Sequence, residues 1–405
     1  MAFACKGAID KMAGLLVIVA DRISAILEKG EIQPSYYNPG GVFDRVDILL
    51  TNDDRPDLSL LQRMVGNANL QVWNYPDDLC LPPRAPAWLA PWRVRRWARG
   101  GVALARQIAP ALIRCHGADW NAYLAAAIKA ALGIPYVVSM HINPDVNPVR
   151  RLQRLQLSRA ELRHNAFYAH LEQVGLVNAS RVIPVYEPIV PYLQRLGVTR
   201  YEVCYNVLNG EHLRRKPSYA LGHSPHLLYV GRLFDEKDPG NIIRAVAAMP
   251  GVQFTMVGDG PLRPTLVAQV TALGVGDRIR FRPAVANDEL CASLADYDLF
   301  VVHSEFYEIS KSVLEALLCG LPVIINRRQG APVAELQGDF VHFVANTADD
   351  YRRAIDDLLT DHDARAALGQ RAYAHAQARW APAVTEAKVA ALYRSLSLQH
   401  VCPDN

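Results

Sequence analysis

Short apolar runs rich in Val, Ile and Leu alternate along the chain with longer segments of helical periodicity. In the first half these runs are LLVIVA (15–20), VDILLT (46–51), LQVWNY (70–75), LIRCH (112–116), YVVSMH (136–141), RVIPVY (181–186) and YEVCYNV (201–207). In the second half they are HLLYVGR (226–232), VQFTMVG (252–258), IRFRP (279–283), LFVVHS (299–304), PVIINR (322–327) and VHFVA (341–345). Near-continuous apolar strands separated by helices are typical of parallel sheets covered on both faces. The pattern predicts an α/β protein with two doubly wound, Rossmann-like domains.

The two series of strands are separated by a polar segment. RRKPSYALGHSP (214–225) is rich in Pro, Gly, Ser and His, and we interpret it as the linker. A chain of 405 residues is also too long for one compact core. We predict a first domain at 1–215, a second at 216–380, and a final helix and tail at 381–405 that pack on the first domain. The helices after the last strand are predicted at about 349–359, 362–378 and 381–396.

Composition excludes several classes of protein. A net charge of +3 is too mild to indicate nucleic acid as a partner. The seven Cys are odd in number and include no C-x-x-C, which disfavours a disulfide framework or a zinc site and fits a reducing cytoplasm. No apolar run approaches the roughly 18 residues of a membrane-spanning helix. The short run 15–20 follows two Lys like a signal peptide, but Asp21-Arg22 comes at once, so we predict a first β-strand.

Two basic segments each allow two interpretations. WRVRRWAR (Trp92–Arg99) interleaves Trp and Arg, and RRLQRLQLSRAELR (150–163) is a basic helical pattern. Each can be a solvated face whose Arg stems cover apolar neighbours. Each can also contact anionic lipid headgroups as a peripheral membrane surface. Both interpretations stay open for the first segment, and the solvated face is favoured for the second.

Candidate chemistry follows the strands of the second half, because open parallel sheets bind ligands at the carboxyl ends of their strands. Arg232 ends the run HLLYVGR and Lys237 lies five residues further on. Together they can hold a diphosphate, Arg through its planar fork and Lys as a compact charge. The alternative is a surface loop in which both cations pair with Asp235 and Glu236.

A glycine turn follows the next strand. Gly258-Asp259-Gly260-Pro261 allows the backbone to approach a ligand closely, or is a tight strand-to-helix turn. It does not match a G-x-G-x-x-G fingerprint, because position 263 is Arg. The turn alone favours the simpler interpretation.

The stretch SEFYEISKSVLEA (304–316) has polar residues at a predicted helix start. Ser310, Lys311 and Ser312 lie where free N–H groups and the helix dipole bind anions. Glu315 would lie one turn into the helix and accept two hydrogen bonds from a sugar diol. The alternative for Glu315 is a capping box with Ser312. Glu308 can equally be a solvated loop acid.

Histidines end two successive strands of the first half. His116 ends LIRCH, and His141 ends YVVSMH and is followed by Asn143 and Asp145. One strand-end histidine is usually a hydrogen-bonded structural residue. Two of them at carboxyl ends favour a sheet edge that lines a cleft.

Several of these segments occur together in a known family. They are VGRLFDEK, VGDGP, the segment ending VLEALLCGLPVI, LIRCHGADWNAYLAAAIKAALGIPYVVSMH and EVCYNVLNGEHLRRK. In this order and spacing the chain resembles the retaining glycosyltransferases of the GT-B fold, family 4 (glycosyl transferases group 1), over nearly its whole length. The resemblance implies two Rossmann-like domains facing a central cleft, with a C-terminal helix that crosses back to the first domain.

The resemblance also implies roles for individual residues. Arg232 and Lys237 would bind the donor diphosphate, Glu315 would hold the ribose, and His141 would approach the sugar at the catalytic centre. The implied catalytic residues are His141, Arg232, Lys237 and Glu308. The implied donor-binding residues are Gly231, Arg232, Lys237, Gly258, Gly260, Pro283, Val285, Tyr307, Ile309, Ser310, Lys311, Ser312 and Glu315. The implied acceptor-side residues are His116, Asn143 and Asp145.

The chain departs from the family pattern in two places. The family's E-x7-E motif has its first Glu eight residues before the second, where this chain has Tyr307, while Glu308 lies seven before Glu315. Either Glu308 reaches the donor sugar from a shifted loop, or Tyr307 contacts it instead. The family's Gly-Gly turn after strand one has only Lys29-Gly30-Glu31 and PGG (39–41) as counterparts, so the acceptor cannot be deduced.

The resemblance therefore implies transfer of a sugar, with retention, from a nucleoside-diphosphate donor to a saccharide or lipid-linked acceptor. No cofactor or metal is expected, because Arg232, Lys237 and the helix start would stabilise the charge on the leaving diphosphate without one. We expect a cytoplasmic enzyme of cell-envelope polysaccharide synthesis, peripheral at the inner face of the plasma membrane. The alternatives are a GT-B epimerase or hydrolase of nucleotide-sugars, and a catalytically weak nucleotide-sugar-binding scaffold, which the displaced Glu favours.

Overall fold

The computed structural model describes residues 14–28, 32–76, 90–145, 159–206, 208 and 210–401. The chain divides into two compact units, unit 1 with residues 1–207 and 385–405, and unit 2 with residues 208–384. The sequence-based boundaries lie nearby, at 215/216 and 380/381. Each unit is built around its own parallel sheet.

Unit 1 contains a six-stranded sheet in the order β3-β2-β1-β4-β5-β6, with every neighbouring pair parallel. Its strands are β1 (Leu15–Val19), β2 (Arg45–Leu50), β3 (Asn69–Asn74), β4 (Leu112–His116), β5 (Tyr136–Met140) and β6 (Arg181–Pro184). Its helices are α1 (Ile23–Glu28), α2 (Leu58–Val65), α3 (Ala90–Ile108), α4 (Trp120–Leu132), α5 (Arg159–Val177) and α6 (Val190–Arg195). The order of the sheet is that of a Rossmann fold.

Unit 2 repeats this topology with the sheet order β12-β11-β10-β7-β8-β9, again all parallel. Its strands are β7 (His226–Val230), β8 (Gln253–Val257), β9 (Ile279–Arg282), β10 (Leu299–Val302), β11 (Val323–Asn326) and β12 (His342–Val344). Its helices are α7 (Gly240–Ala247), α8 (Arg263–Ala272), α9 (Asn287–Ser293), α10 (Lys311–Cys319), α11 (Ala348–Thr360) and α12 (His362–Trp380). The fourth strands of the two units, β4 and β10, occupy equivalent places.

The last helix, α13 (Pro382–Val401), leaves unit 2 and packs on unit 1. Tyr393 is fully buried there, and its ring centroid lies 6.1 Å from that of Phe43. Val389 and Leu396, one turn to either side of Tyr393, join the same apolar core. The C-terminal helix therefore returns to the first domain, as the resemblance implied.

One predicted strand is wrong. Residues 201–206 form no strand, although Tyr201 makes an isolated bridge with Val182. The N–H of Cys204 donates to the Pro184 carbonyl at 3.2 Å, so the segment does run beside β6. Pro184 has no N–H to return, which prevents a regular ladder.

The basic segments differ in how far the structure describes them. Trp92–Arg99 lies in α3, whereas residues 150–158 of the second segment and Lys29-Gly30-Glu31 lie outside the described residues. Residues 39–41 form one turn of 3₁₀ helix in which Gly40 has a φ of 66°. Among the helices that the structure describes, none is long and apolar enough to cross a membrane.

Candidate functional site

The carboxyl edge of the unit 2 sheet brings the two predicted cations close to the loop after β10. Lys237 Nζ lies 4.9 Å from the centre of the Phe306 ring, and the Arg232 guanidinium lies 5.4 Å from that of Phe234. Neither cation has an ion pair within 4.0 Å among the described residues, so the pairing with Asp235 and Glu236 that we considered does not form. Burial lowers the pKa of Lys237. The charge of Glu308 opposes this effect, and the charge of Arg232 adds to it.

The glycine turn after β8 packs against the loop after β7, which contains Arg232. Gly258 has a φ of 143°, and a Cβ there would lie 2.0 Å from the Gly231 carbonyl oxygen. A Cβ on Gly260 would lie 2.2 Å from the carbonyl oxygen of Leu233. Both glycines are therefore required by close backbone packing, which holds the Arg232 loop in place.

Helix α10 begins at the carboxyl end of β10 with no acidic residue in its first turn. Ser310 is the N-cap residue, and its side chain caps no N–H, although its carbonyl accepts from the N–H groups of Val313 and Leu314. Ser312 Oγ donates to the Val230 carbonyl at 3.1 Å, which ties the helix start to the end of β7. The capping box with Glu315 is thus absent.

Glu315 is instead part of a buried polar triangle. Its side chain is 1% exposed, and Oε1 accepts from Asn287 Nδ2 at 2.9 Å and lies 3.8 Å from Lys311 Nζ. Lys311 Nζ also donates to Asn287 Oδ1 at 3.2 Å. Burial raises the pKa of Glu315, against the opposing effects of Lys311 and Asn287. Asn287 was missed by the sequence reasoning, because nothing in the sequence marks its proximity to Glu315.

The loop before α10 contains Tyr307 and Glu308, which differ in exposure. Tyr307 and Ile309 are buried at 6% and 1% exposure, while Glu308 is half-buried. Glu308 lines a cavity of about 190 Å³ together with Ser310 and Arg327, and its Oε2 is buried with no hydrogen-bond partner in the described structure. Burial raises the pKa of Glu308 to about 7, although Tyr307 and Lys237 both favour its charged form. Glu308 is therefore no solvated loop acid.

Two further predicted residues lie in the loop between β9 and α9. Pro283 is exposed and Val285 is half-buried. This loop leads into Asn287, which contacts both Glu315 and Lys311. The predicted donor residues of unit 2 thus come from the carboxyl ends of β7, β8, β9 and β10, which form one contiguous edge.

In unit 1, the two strand-end histidines meet. The ring centroids of His116 and His141 lie 4.5 Å apart, and both side chains line a cavity of about 160 Å³ with Asp21, Asp119 and Glu172. Burial and the Arg114 cation lower the pKa of His141 to about 4. Burial, the other imidazole and Arg114 hold the pKa of His116 well below its ordinary value. Both rings are therefore neutral at physiological pH.

Asn143 and Asp145, the other two predicted acceptor-side residues, lie beside this cavity and do not line it. Asn143 is 5% exposed, donates to the Pro188 carbonyl at 2.9 Å and accepts from the N–H of Asp145 at 3.0 Å. Asp145 forms an ion pair with Arg195. These contacts hold the loop after β5 to α6 and the turn before it.

The two units match two domain models. Residues 42–207 match the model described as "Glycosyl transferase 4-like domain", and residues 214–375 match "Glycosyl transferases group 1". Each match falls within one unit.

Curated relatives include glycosyltransferases of different pathways. The chain is 32% identical over 151 residues to the lipopolysaccharide core biosynthesis glycosyltransferase LpsE of Rhizobium meliloti, covering 37% of this chain and 44% of that protein. It is 31% identical over 244 residues to the 2-deoxystreptamine glucosyltransferase of Streptomyces kanamyceticus, covering 55% and 61%. The chain thus spans about half the length of the curated relatives it matches.

Solved structures match over nearly the whole chain and confirm the predicted GT-B fold. HepE of Anabaena, in complex with UDP, superposes with a TM-score of 0.68 at 18% identity, covering 94% of this chain and all (100%) of that one. Sucrose-phosphate synthase of Thermosynechococcus elongatus superposes with a TM-score of 0.64 at 17% identity, covering 95% and 99%. With one domain model on each unit and this fold, the chain belongs to the glycosyl transferases group 1 family.

Proposed function

We propose that this protein transfers a sugar, with retention and without a metal ion, from a nucleoside-diphosphate sugar to an acceptor hydroxyl. The observation that carries the proposal is the convergence of Arg232, Lys237 and the start of α10 at one sheet edge of unit 2. Two cations that form no ion pair within 4.0 Å in the described structure, next to a helix N-terminus, suit a diphosphate. The UDP bound in the similar HepE structure supports a nucleotide donor here.

Each part of the edge has a role in this proposal. Arg232 and Lys237 hold the two phosphates, and the N–H groups around Ile309–Ser312 contact the β-phosphate and the sugar. Glu315 accepts hydrogen bonds from the ribose diol once the ribose displaces Asn287 or Lys311 from its carboxylate. Pro283 and Val285 lie beside the base.

Catalysis follows from the charge that develops as the glycosidic bond breaks. The bond from the sugar C1 to the phosphate oxygen breaks, and the acceptor oxygen bonds to C1 on the same face. The acceptor proton passes to the departing phosphate oxygen, so no paired catalytic carboxylates are needed. Arg232, Lys237 and the α10 N-terminus stabilise the negative charge on the diphosphate, which is the largest contribution that the protein makes.

Glu308 is the acid that serves the donor sugar in this proposal, rather than Tyr307. Tyr307 is buried at 6% exposure, whereas Glu308 lines the unit 2 cavity and has a buried oxygen without a partner. A sugar hydroxyl would satisfy that oxygen.

The histidine pair of unit 1 serves the transferred sugar and the acceptor. His141 approaches the sugar at the reacting carbon, and His116 lies beside it on the acceptor side. Neutral imidazoles can accept a hydrogen bond from a hydroxyl without adding a charge that opposes departure of the phosphate. Asn143 and Asp145 shape this side through the backbone contacts they make.

We also propose that the α3 surface contacts anionic lipid. Trp92 is 54% exposed, and Arg95, Arg96 and Arg99 are exposed on the same helix, which contains no acidic residue. Such a helix suits anionic headgroups, and a lipid-linked acceptor would be presented there. Sedimentation with vesicles that contain anionic phospholipid tests this: wild type should sediment, and W92A/R95A/R96A should not. Equal sedimentation of both would contradict the lipid contact.

The experiment that tests the main proposal is a thermal-shift screen with UDP, GDP, ADP, TDP and their sugars, with and without Mg²⁺. A nucleotide at 100 times its dissociation constant adds about 2.7 kcal/mol of stability. A metal-independent shift that Arg232→Ala removes, followed by acceptor-dependent loss of the donor, is the expected result. Loss of donor without acceptor would indicate an epimerase or hydrolase, and a shift without any turnover would indicate a binding scaffold.

A further inference from the structure

Arg114, in the middle of β4, is a buried cation without an acidic partner. Its side chain is 5% exposed, and it forms no ion pair within 4.0 Å in the described part of the chain. Nη1 donates to the Tyr36 carbonyl at 2.5 Å, while Nε has no hydrogen-bond partner. A buried charge is costly unless its surroundings stabilise it, so the surroundings of Arg114 indicate what it does.

Those surroundings are aromatic. The guanidinium carbon lies 4.7 Å from the centre of the Tyr36 ring and 5.6 Å from that of Tyr37. Tyr393 of α13 also interacts with the guanidinium and raises the pKa of Arg114. Cation–π contacts of this kind stabilise a desolvated Arg and fix the rings against it.

Tyr36 links Arg114 to the histidine pair. Its hydroxyl lies 3.4 Å from His116 Nδ1 and 3.5 Å from His141 Nε2, and its ring centroid lies 5.8 Å from that of His116. Contacts of this length are typical of a site that tightens when the substrate binds. One face of the Tyr36 ring therefore carries the cation while its hydroxyl reaches both imidazoles.

We infer that Arg114 is a positioning residue: acting through Tyr36, it sets the orientation and the charge state of His116 and His141 at the unit 1 cavity. The catalytic consequence rests on the proposed function, whereas the arrangement of the four side chains does not. The sequence gives no sign of this role, because Arg114 lies inside a strand and Tyr36 in a distant loop.

The charges around the pair show why a cation is needed. Among the described residues, the titratable and charged groups around the two imidazoles are Tyr36, Tyr37, Arg114, Asp21, Asp119 and Glu172, the last three being carboxylic acids that line the same cavity. Ionised carboxylates favour the charged form of an imidazole and would raise its pKa. Burial and the Arg114 cation act in the opposite direction. Removing the cation should therefore raise the pKa of both histidines.

The test is a titration of the histidine side-chain NMR signals in wild type, Arg114→Met, Arg114→Lys and Tyr36→Phe, with His116→Gln and His141→Gln to assign the signals. Arg114→Met should move both midpoints toward the ordinary value of about 6.5. Arg114→Lys should retain most of the depression, because it keeps the charge. The matched control is Arg45→Met, since Arg45 lies at the amino end of β2 and binds Asp47 and the Ile108 carbonyl.

The second readout is sugar transfer against pH. Arg114→Met and Tyr36→Phe should lower kcat about tenfold while the donor KM stays the same, because they disturb the histidines of unit 1 and not the donor residues of unit 2. The acid limb of the Arg114→Met profile should move to higher pH. Arg45→Met should match wild type.

The proposal is overturned if Arg114→Met and Arg45→Met give the same histidine midpoints. If Arg114→Met does not fold, Tyr36→Phe decides: unchanged histidine signals and kcat in that variant would equally overturn the proposal. If wild type transfers no sugar from any donor, the proposed function fails, while the NMR titration still decides the role of Arg114.

Discussion

Units 1 and 2 have the same sheet order and carry opposite chemistry at the carboxyl ends of their strands. Unit 2 places the cations Arg232 and Lys237 there. Unit 1 places the neutral imidazoles His116 and His141, in a cavity lined by carboxylic acids. The topology determines where a ligand can bind, and the side chains at that edge determine which ligand it is.

The helices after the equivalent strands β4 and β10 show the difference most clearly. Helix α10 has Ser310 at its N-cap and no acid in the first turn. Helix α4 has Asp119 at its N-cap. A carboxylate at a helix N-terminus occupies the place where the dipole would attract an anion. We therefore expect a diphosphate at α10 and a neutral polyol group at α4.

The largest effect should come from removing the two cations of unit 2. Arg232→Ala/Lys237→Ala should lower sugar transfer about a hundredfold to a thousandfold, because the charge on the leaving diphosphate loses its stabilisation. Nucleotide binding, measured by calorimetry, should weaken in parallel. Arg244→Ala removes an exposed cation on α7 and serves as the control. Undiminished transfer by the double variant would contradict the assignment of the donor site.

The second prediction concerns unit 1. His141→Ala should lower kcat about tenfold to a hundredfold through loss of positioning at the reacting carbon, and leave nucleotide affinity unchanged. Steady-state kinetics with calorimetry separates these two quantities. A matching loss of nucleotide affinity would show that the division of roles between the units is wrong.

A third variant introduces into α10 the N-cap carboxylate that α4 has. Ser310→Asp keeps a good N-cap residue and adds a carboxylate where the diphosphate is expected. Nucleotide affinity should fall about tenfold, by roughly 1.4 kcal/mol, while the melting temperature of the free protein stays at or above that of wild type. Ser310→Asn, which is similar in shape and uncharged, is the control. Equal affinities of these two variants would exclude a phosphate at this helix start.

The smallest effect is a pH dependence from Glu308. Its pKa is raised to about 7, so the side chain is neutral below that pH and charged above it. The charged form opposes a bound diphosphate near Lys237, so nucleotide affinity should rise about twofold to fivefold as the pH falls from 8 to 6. Glu308→Gln should remove this change. A similar pH dependence in the variant would assign it to another group, such as the phosphate itself.

The local sequence was enough to predict nearly all of the strands. Runs such as 15–20 and 299–302 are apolar at every position, which is typical of a strand buried on both faces. The failure at 201–207 has a tertiary cause, because the neighbouring strand β6 ends in Pro184 and cannot complete a ladder.

The candidate site was predictable where chemistry follows directly from a strand end. Arg232, Lys237, His116 and His141 could be named in this way, because all strands of a parallel sheet end at one edge. The sequence allowed a capping box between Ser312 and Glu315. The structure does not contain it, since the Ser312 hydroxyl donates to the Val230 carbonyl instead.

By itself the sequence determined the fold class, the series of strands and the polar residues that end them, since these depend on local periodicity. Only the tertiary structure decided that Glu315 meets Asn287, that Glu308 lines a cavity, and that Tyr36 lies against both Arg114 and the two histidines. Each of these pairs joins residues on separate elements or depends on which way a loop side chain turns. Such contacts are set by the packing of whole elements against each other, which no short stretch of sequence encodes.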